Sequence, residues 1–412
     1  MILASRLRSL AGLVGALALA ALAGACSTLP YSDFGPTPPP VVVPDGSAER
    51  AALNETVYDT TTGYIADHYF DPEHGGLDWD ARAAHYRSEA MAQPSEAGLY
   101  RVMDALIEEL DDHHTNATSP SARARVEARE KGEATVSFGI GLLLTDDGYL
   151  VNRVVPDSPA DEAGVRIGWR LVSINGEAST DEILADDERS DTILFVDEEG
   201  TEHTVTMVGR LLTRRPLREA TARDDGVLML RFDGFQMEDL DWLKARMDAV
   251  RADPPRAIVV DLRDNGGGRV NVLGDVVAQF FEGRTDYIIM KGRFFRTRYP
   301  TRPVDEPWTG PLAVLIGPGS ASASELFAAT VQDNDRGVVV GQPSAGSVIG
   351  SQHLNLPDGG ELSLSMRAVF TANDVLLEKV GVTPDILVEP TWAQLRNGED
   401  PALEAAAEAV LR

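Results

Sequence analysis

The stretch that decides the fold is Gly319-Ser320-Ala321-Ser322-Ala323-Ser324-Glu325-Leu326. Ser322 and Glu325 have the S-x-x-E spacing of a capping box, which predicts that a helix begins directly after Ser322. A serine at that position lies in the positive field of a helix N-terminus, and the N–H group of Ala323 points toward whatever the hydroxyl attacks. The stretch is therefore either a well-capped helix or the site of a catalytic serine.

A glycine-rich loop precedes this stretch by about 55 residues and reads Asp261-Leu262-Arg263-Asp264-Asn265-Gly266-Gly267-Gly268. It follows an apolar run typical of a buried strand, and a helical pattern begins after it. Three consecutive glycines free backbone N–H groups to face an anion, as they do in phosphate-binding loops. A phosphate site is the weaker interpretation, because no Gly-Lys-Ser/Thr sequence follows.

From about residue 211 to the C-terminus, strand patterns alternate with helical ones. This alternation predicts an α/β layered core with crossover connections. We predict strands at 227–232, 257–262, 312–316 and 337–340, helices at 240–251, 271–281, 322–332 and 401–411, and a hairpin at 357–360.

The two motifs, in this order, resemble those of the C-terminal processing (tail-specific) serine peptidases, and the resemblance covers most of the chain. It implies a multidomain α/β protein with a crotonase-like (ClpP-like) core over residues 211–412. By the same resemblance Ser322 is the nucleophile, and Gly267 or Gly268 together with Ala323 supplies the oxyanion-binding N–H groups. Gly266 stands where the family usually has proline.

The general base departs from that family. A lysine normally follows in a T-F-G-K-G turn, but the corresponding segment here is Ser344-Ala345-Gly346-Ser347-Val348, with Ser347 at the lysine position. The tricorn-type branch instead uses a histidine from the helical segment and a late glutamate. Carried over, these are His114, with His113 as a weaker substitute, and Glu378. A displaced lysine, Lys291 or Lys379, is the other possibility.

Two further domains precede the core. Residues 48–130 have helical spacing, and residues 134–210 read as short strands whose motifs resemble a PDZ domain. Its Phe138-Gly139-Ile140-Gly141 loop is predicted to bind a chain-end carboxylate, beside a strand edge that accepts an extended peptide. The second PDZ helix is limited to residues 180–187, so the peptide groove is expected to be shallow.

The N-terminus predicts a lipoprotein signal. Arg6 and Arg8 precede an apolar run over 10–25, which ends in a sequence resembling a bacterial lipobox at Cys26. Cys26 is the only cysteine of the chain, so it has no disulfide partner. Ser27 follows it, which implies the outer membrane where the aspartate sorting rule applies. Residues 26–47 are proline-rich and are predicted to form a tether.

The chain carries a formal charge of −28 over 412 residues, which disfavours nucleic acids and anionic lipid headgroups as partners. We therefore expect attachment to the membrane by lipid alone. The histidines show no metal-binding spacing, so neither a metal nor another cofactor is expected. The sequence predicts an envelope serine endopeptidase that cleaves unstructured or C-terminal regions of proteins. The alternatives are an inactive lipoprotein that binds protein C-termini, or a Ser–Lys peptidase.

Overall fold

The structure of the protein, a computed structural model, describes residues 38–112, 114–130, 133–145, 147–178, 189–213 and 216–412. The predicted signal peptide, Cys26, most of the tether, His113 and the short helix at 180–187 lie outside these residues. No helix in the described part of the chain has the length and apolar character needed to cross a bilayer.

The N-terminal segment is helical, as its spacing predicts. It contains α1 (Ala48–His68), α2 (Trp79–Met91) and α3 (Glu96–Glu108), followed by β1 (Asn116–Thr118) and α4 (Pro120–Glu130). The side chains of Ser47, Asp78 and Ser95 each accept a backbone N–H group and so fix where the first three helices begin. Their buried faces form one apolar cluster that includes Val57, Ile65, Leu99, Met103 and Leu106.

The next segment is the predicted small β-rich domain. Its antiparallel sheet has the strand order β3-β4-β5-β7-β8, with β6 on β5, while β2 pairs with β9. The strands are β2 (Thr135–Ser137), β3 (Ile140–Thr145), β4 (Gly148–Val154), β5 (Arg170–Ile174), β6 (Glu177–Ala178), β7 (Ser190–Val196), β8 (Glu202–Val208) and β9 (Arg210–Leu212), and α5 (Pro159–Glu162) is a short helix after β4.

The C-terminal segment is built on a six-stranded sheet with the order β10-β11-β12-β15-β16-β19. The pairs from β11 to β19 are parallel, which confirms the predicted α/β layering. The strands are β10 (Arg218–Ala222), β11 (Val227–Phe232), β12 (Ala257–Asp261), β15 (Leu312–Ile316), β16 (Val338–Gly341) and β19 (Ile386–Leu387), and the helices are α6 (Met237–Ala252), α7 (Val270–Val277), α8 (Ala323–Asp333), α9 (Trp392–Arg396) and α10 (Pro401–Leu411).

Both faces of this sheet are covered. Alternate side chains of β12 and β15 face α6, α7 and α8 on one side and the alanine-rich α10 on the other. Strands buried on both faces are continuously apolar, which is why β12 and β15 are recognisable in the sequence.

A second sheet connects the helical segment to the core, and the sequence analysis predicts only its hairpin at 357–360, which is formed. It has the order β1-β18-β13-β14, with β17 also on β18, and consists of β13 (Asp286–Gly292), β14 (Phe295–Pro300), β17 (Ile349–Asn355) and β18 (Glu361–Thr371) together with β1. Because β1 begins two residues after His114, its pairing with β18 carries that histidine from the helical segment to the core.

Candidate active site

Ser322 lies at the junction between a loop after β15 and helix α8. Its backbone has φ 54° and ψ −115°, a conformation that residues other than glycine rarely adopt. The capping box is formed as predicted, because Ser322 accepts the N–H group of Glu325 and donates its own to that carboxylate. Such strain persists only where the surroundings hold it, and it is common at active sites.

The loop around Ser322 is fastened to the loop after β12. The Ser320 hydroxyl donates to the carbonyl of Leu262, the Ser324 hydroxyl donates to that of Asn265, and both bonds are 2.8 Å long. The Ala321 N–H group also donates to the carbonyl of Asn265. These bonds place the glycine loop directly against the serine.

Gly267 makes the closest approach to Ser322. It has φ 96°, and a Cβ atom at this position would lie 2.7 Å from both the carbonyl oxygen of Ala321 and the Cβ of Ser322. Only glycine fits there. Its N–H group donates to Asn265 Oδ1 at 2.9 Å. In the described part of the chain, the N–H groups of Gly268 and Ala323 have no hydrogen-bond acceptor, so these two are available to an oxyanion.

The glycine loop is braced from the side of β12 by a buried ion pair. Arg263 bonds both carboxylate oxygens of Asp261 and reaches Asp400 before α10. Burial would raise the pKa of Asp261, but hydrogen bonding and the charge of Arg263 outweigh burial and hold that pKa below its usual value. Arg263 therefore joins the loop to the C-terminal helix.

His114 is held by its own turn and by β18. Its N–H group donates to Asp112 Oδ1 at 2.9 Å, and its carbonyl accepts the Ser363 hydroxyl at 2.9 Å. Its imidazole Nε2 lies 2.9 Å from the hydroxyl oxygen of Ser347. Among the described residues, no hydrogen bond joins His114 to Ser322 itself. The structure thus brings the histidine to the position that the family gives to lysine.

Glu325 does more than cap the helix. Its buried carboxylate accepts four hydrogen bonds, from the N–H groups of Ser322, Gly346 and Ser347 and from the Ser344 hydroxyl. Burial raises the pKa of Glu325, and these donors oppose the rise. The sequence analysis predicts only the capping role of Glu325. Its local pattern does not show that the 344–347 turn folds onto the same carboxylate.

Glu378 reaches the segment immediately after Ser347. Its Oε2 accepts the N–H group of Val348 at 2.7 Å. Tyr69 is near both Glu378 and Asp112: burial raises its pKa well above the usual value, and the two carboxylates add to the rise. Glu378 is therefore next to the turn that carries Ser347, and its hydrogen bond to Val348 fixes that turn.

Neither lysine considered as a displaced base is buried. Lys291 is exposed on β13. The ammonium of Lys379 pairs with Asp111, and its side chain is 50% exposed. A lysine acts as a base only when its surroundings disfavour the charge, and an exposed ion pair favours it.

The predicted carboxylate-binding loop lies between β2 and β3. Phe138 is buried in the domain core, and its carbonyl accepts the N–H group of Ala160. Gly139 has φ 79°, and a Cβ there would lie 2.3 Å from the side chain of Ser158. Ile140 and Gly141 begin β3, whose only partner in the described sheet is β4. One edge of β3 is therefore available for an extended peptide.

No group of three histidine, cysteine, aspartate or glutamate residues suited to a metal ion occurs within the described ranges.

Two parts of the chain match known protein families. Residues 226–388 match the sequence model of peptidase family S41, and residues 150–186 match that of a PDZ domain. The chain is 25% identical over 351 residues to the chloroplastic C-terminal processing peptidase of Tetradesmus obliquus, covering 78% of this chain and 74% of that protein. It is 26% identical over 342 residues to the carboxy-terminal-processing protease of Bartonella bacilliformis, covering 77% and 76%.

A solved structure of a photosystem II D1 C-terminal processing protease has the same fold, with a TM-score of 0.63 and 21% identity over 82% of this chain and 93% of that one. These relatives leave the tricorn-type branch a prediction. The family S41 match, the PDZ match, the relatives and the fold together support a C-terminal processing serine peptidase with a PDZ domain.

Proposed function

We propose that this peptidase cleaves unstructured or C-terminal regions of proteins in the bacterial cell envelope, with Ser322 as nucleophile and His114 as base. The observation that carries the proposal is the imidazole of His114, whose Nε2 lies 2.9 Å from a hydroxyl in the turn that contacts Ser322. A serine hydroxyl needs such a proton acceptor to attack a peptide carbonyl.

Each step has a group suited to it. As the Ser322 oxygen bonds to the carbonyl carbon, the carbonyl oxygen becomes negative. The N–H groups of Ala323 and Gly268 would stabilise that charge, helped by the positive end of α8. His114 would take the serine proton and then give it to the leaving amine. Glu378, which fixes the peptide after Ser347, would support the imidazole indirectly through that turn.

The PDZ domain would supply substrate selection. We propose that the loop Phe138-Gly139-Ile140-Gly141 receives a chain-end carboxylate while the free edge of β3 pairs with the preceding residues of the substrate. Protein substrates with free C-termini are then the expected partners.

The test of the chemistry uses fluorescently labelled casein as an unfolded substrate and a fluorophosphonate as a probe of the nucleophile. Ser322→Ala should abolish both cleavage and labelling, and His114→Ala should lower turnover by about 10²–10⁴-fold. Lys291→Ala, Lys379→Ala and the control His85→Ala, an exposed histidine on α2, should remain active. Undiminished cleavage by a folded Ser322→Ala or His114→Ala protein would refute the assignment.

The envelope location is proposed from the sequence around Cys26, with an acidic body that offers no other attachment. The end of the tether is joined to the core, because Val41 donates its N–H group to the carbonyl of Asp358 and Pro40 contacts Gly359. Cys26→Ser should move the protein from the membrane fraction to the soluble one. Lipid anchoring would be contradicted if this variant stayed in membranes washed with high salt and labelled palmitate did not enter the wild-type protein.

A further inference from the structure

We propose that Ser347 relays the proton from Ser322 to His114, so that two hydroxyl groups and one imidazole form the catalytic chain. This inference rests on the function proposed above and adds a residue to it. Its starting point is that Ser347 occupies the lysine position of the family. Within the described structure, the Ser347 hydroxyl is the hydrogen-bond partner of the His114 imidazole.

The backbone of Ser347 is held beside that of Ser322. The Ser347 carbonyl accepts the Ser322 N–H group at 2.9 Å. Both N–H groups also converge on one atom, Glu325 Oε2, at 2.9 Å from Ser322 and 3.0 Å from Ser347. Two residues that share a carboxylate oxygen and a direct hydrogen bond are adjacent, and neither can shift without breaking these contacts.

The position of Ser347 is fixed on its other side as well. The next N–H group, that of Val348, donates to Glu378 at 2.7 Å, and the N–H group of Gly346 donates to Glu325 at 2.7 Å. Three consecutive peptide N–H groups are therefore anchored on two carboxylates. The backbone of Ser347 is thus fixed against that of Ser322, and its hydroxyl contacts His114.

A relay explains why His114 is hydrogen-bonded to Ser347 while the Ser322 hydroxyl caps helix α8. In the resting structure the Ser322 oxygen accepts the Glu325 N–H group, and no hydrogen bond joins it to His114 among the described residues. A hydroxyl can accept one proton while it donates another, which neither a lysine ammonium nor an alanine can do. Ser347 thus has the chemistry needed to connect the two groups.

The proposed step is balanced. The Ser322 oxygen forms a bond to the substrate carbonyl carbon, and the π electrons of the carbonyl move to its oxygen. The Ser322 proton passes to the Ser347 oxygen as the Ser347 proton passes to Nε2 of His114, which the step requires to be the unprotonated ring nitrogen. Ser347 ends unchanged, and His114 carries one additional proton for the leaving amine.

The experiment compares Ser347→Ala and Ser347→Thr with wild type, using labelled casein in mixtures of H2O and D2O. When two protons move together, a plot of the rate against the fraction of D2O is curved. When only one proton moves, the same plot is a straight line. We expect the curve for wild type and for Ser347→Thr, which keeps the hydroxyl. Ser347→Ala should lose about 10²-fold in kcat/KM and give a straight line. Ser351→Ala, in the following strand, is the matched control and should behave as wild type.

The outcomes separate the relay from the function beneath it. If Ser347→Ala keeps wild-type activity, or keeps the curved dependence of rate on D2O, the relay is wrong. The proposed function still stands in that case if Ser322→Ala and His114→Ala are inactive. A fluorophosphonate adduct mapped to Ser347 would make that residue the nucleophile and overturn the relay. If Ser322→Ala or His114→Ala is fully active, the proposed function fails and the relay fails with it.

Discussion

Glu325 is the residue on which the geometry of the candidate site depends most. A capping-box glutamate ordinarily satisfies one backbone N–H group at the start of its helix. Here the same carboxylate also binds the turn at 344–347, which carries Ser347. The start of α8 and the turn that replaces the lysine turn are therefore one hydrogen-bonded unit.

The first prediction is that Glu325→Gln inactivates the peptidase. The amide has one acceptor oxygen in place of two, so buried N–H groups lose their partner at about 1–3 kcal/mol each. Cleavage of labelled casein and urea denaturation measure the two effects. Glu408→Gln, exposed on α10, is the control and should change neither. Wild-type activity in a folded Glu325→Gln protein would show that the turn does not need this carboxylate.

The stability effect of this substitution should depend on pH. Burial raises the pKa of Glu325 above the ordinary value of 4.5. Its contribution to stability is then full below that ordinary value and is lost as the pH rises through the raised pKa. Glutamine does not titrate, so the loss of stability in Glu325→Gln should be larger at pH 4.5 than at pH 8.

Gly267 gives a second prediction at the residue scale. Gly267→Ala should abolish activity, because the new Cβ would collide with Ala321 and Ser322 at 2.7 Å and the backbone has φ 96°. Gly266→Ala is a matched control, since a Cβ there has no atom within 4 Å and φ is not in the left-handed region. Casein cleavage and fluorophosphonate labelling measure the effect. Equal loss in both variants would contradict the proposed close approach.

Residue spacing predicts local structure at the candidate site better than it predicts hydrogen bonds between distant segments. The capping box at Ser322 and the glycine loop are local patterns, and both are formed as expected. The bond between His114 and Ser347 spans 233 residues of sequence, so no local pattern contains it. The Asn265 bond is local instead: its side chain accepts the N–H group of Gly267, two residues away, and leaves that of Gly268 available, a choice that the sequence analysis left open.

At the scale of elements, burial on both faces decided what could be predicted. The strands β11 and β15 have the predicted bounds, because both belong to the apolar parallel sheet. Of the second sheet only the hairpin at 357–360 was predicted, since its strands mix charged and apolar residues. Strand β14 reads Phe-Arg-Thr-Arg-Tyr-Pro and is mostly exposed, so its composition alone resembles a loop. That sheet nevertheless delivers His114 to the core.

Arg293 gives a prediction at this scale, because it connects the second sheet to helix α1. Its guanidinium donates to the carbonyls of Ala66, Asp67 and Tyr69 at the helix C-terminus, at 3.0, 2.7 and 2.8 Å. A cation there satisfies carbonyl groups that have no partner inside the helix. Arg293→Ala should therefore destabilise the protein by about 1.5–3 kcal/mol.

The same substitution should reduce activity, since Tyr69 lies beside Asp112, which holds the turn of His114. Thermal unfolding and casein cleavage measure both effects. Arg296→Ala removes an exposed arginine from the neighbouring strand and is the control. If Arg293→Ala and Arg296→Ala are equally stable and active, α1 does not depend on this contact.

For the whole molecule, the question is how the PDZ domain is held relative to the peptidase core. Helix α9, which belongs to the C-terminal segment, contacts the PDZ domain. The Trp392 ring packs on Gly168, and Arg396 donates to the carbonyl of Ile167 and pairs with Glu198 at 2.6 Å. The described contact is small and half-buried, as expected of domains that can move relative to one another.

The last prediction tests this contact with two glycines of the PDZ domain. A Cβ on Gly168 would lie 2.6 Å from Cγ of Trp392, whereas one on Gly164 would have no atom within 4 Å. Both glycines have positive φ, so alanine strains the backbone at either site and only Gly168→Ala also displaces Trp392.

Gly168→Ala should raise KM for labelled casein with little change in kcat, because Ser322 and His114 are untouched while the PDZ domain is no longer held. Trp392→Ala should reproduce this result, and Gly164→Ala should not. A fall in kcat at constant KM, or equal behaviour of the two glycine variants, would mean that α9 does not couple substrate capture to the core.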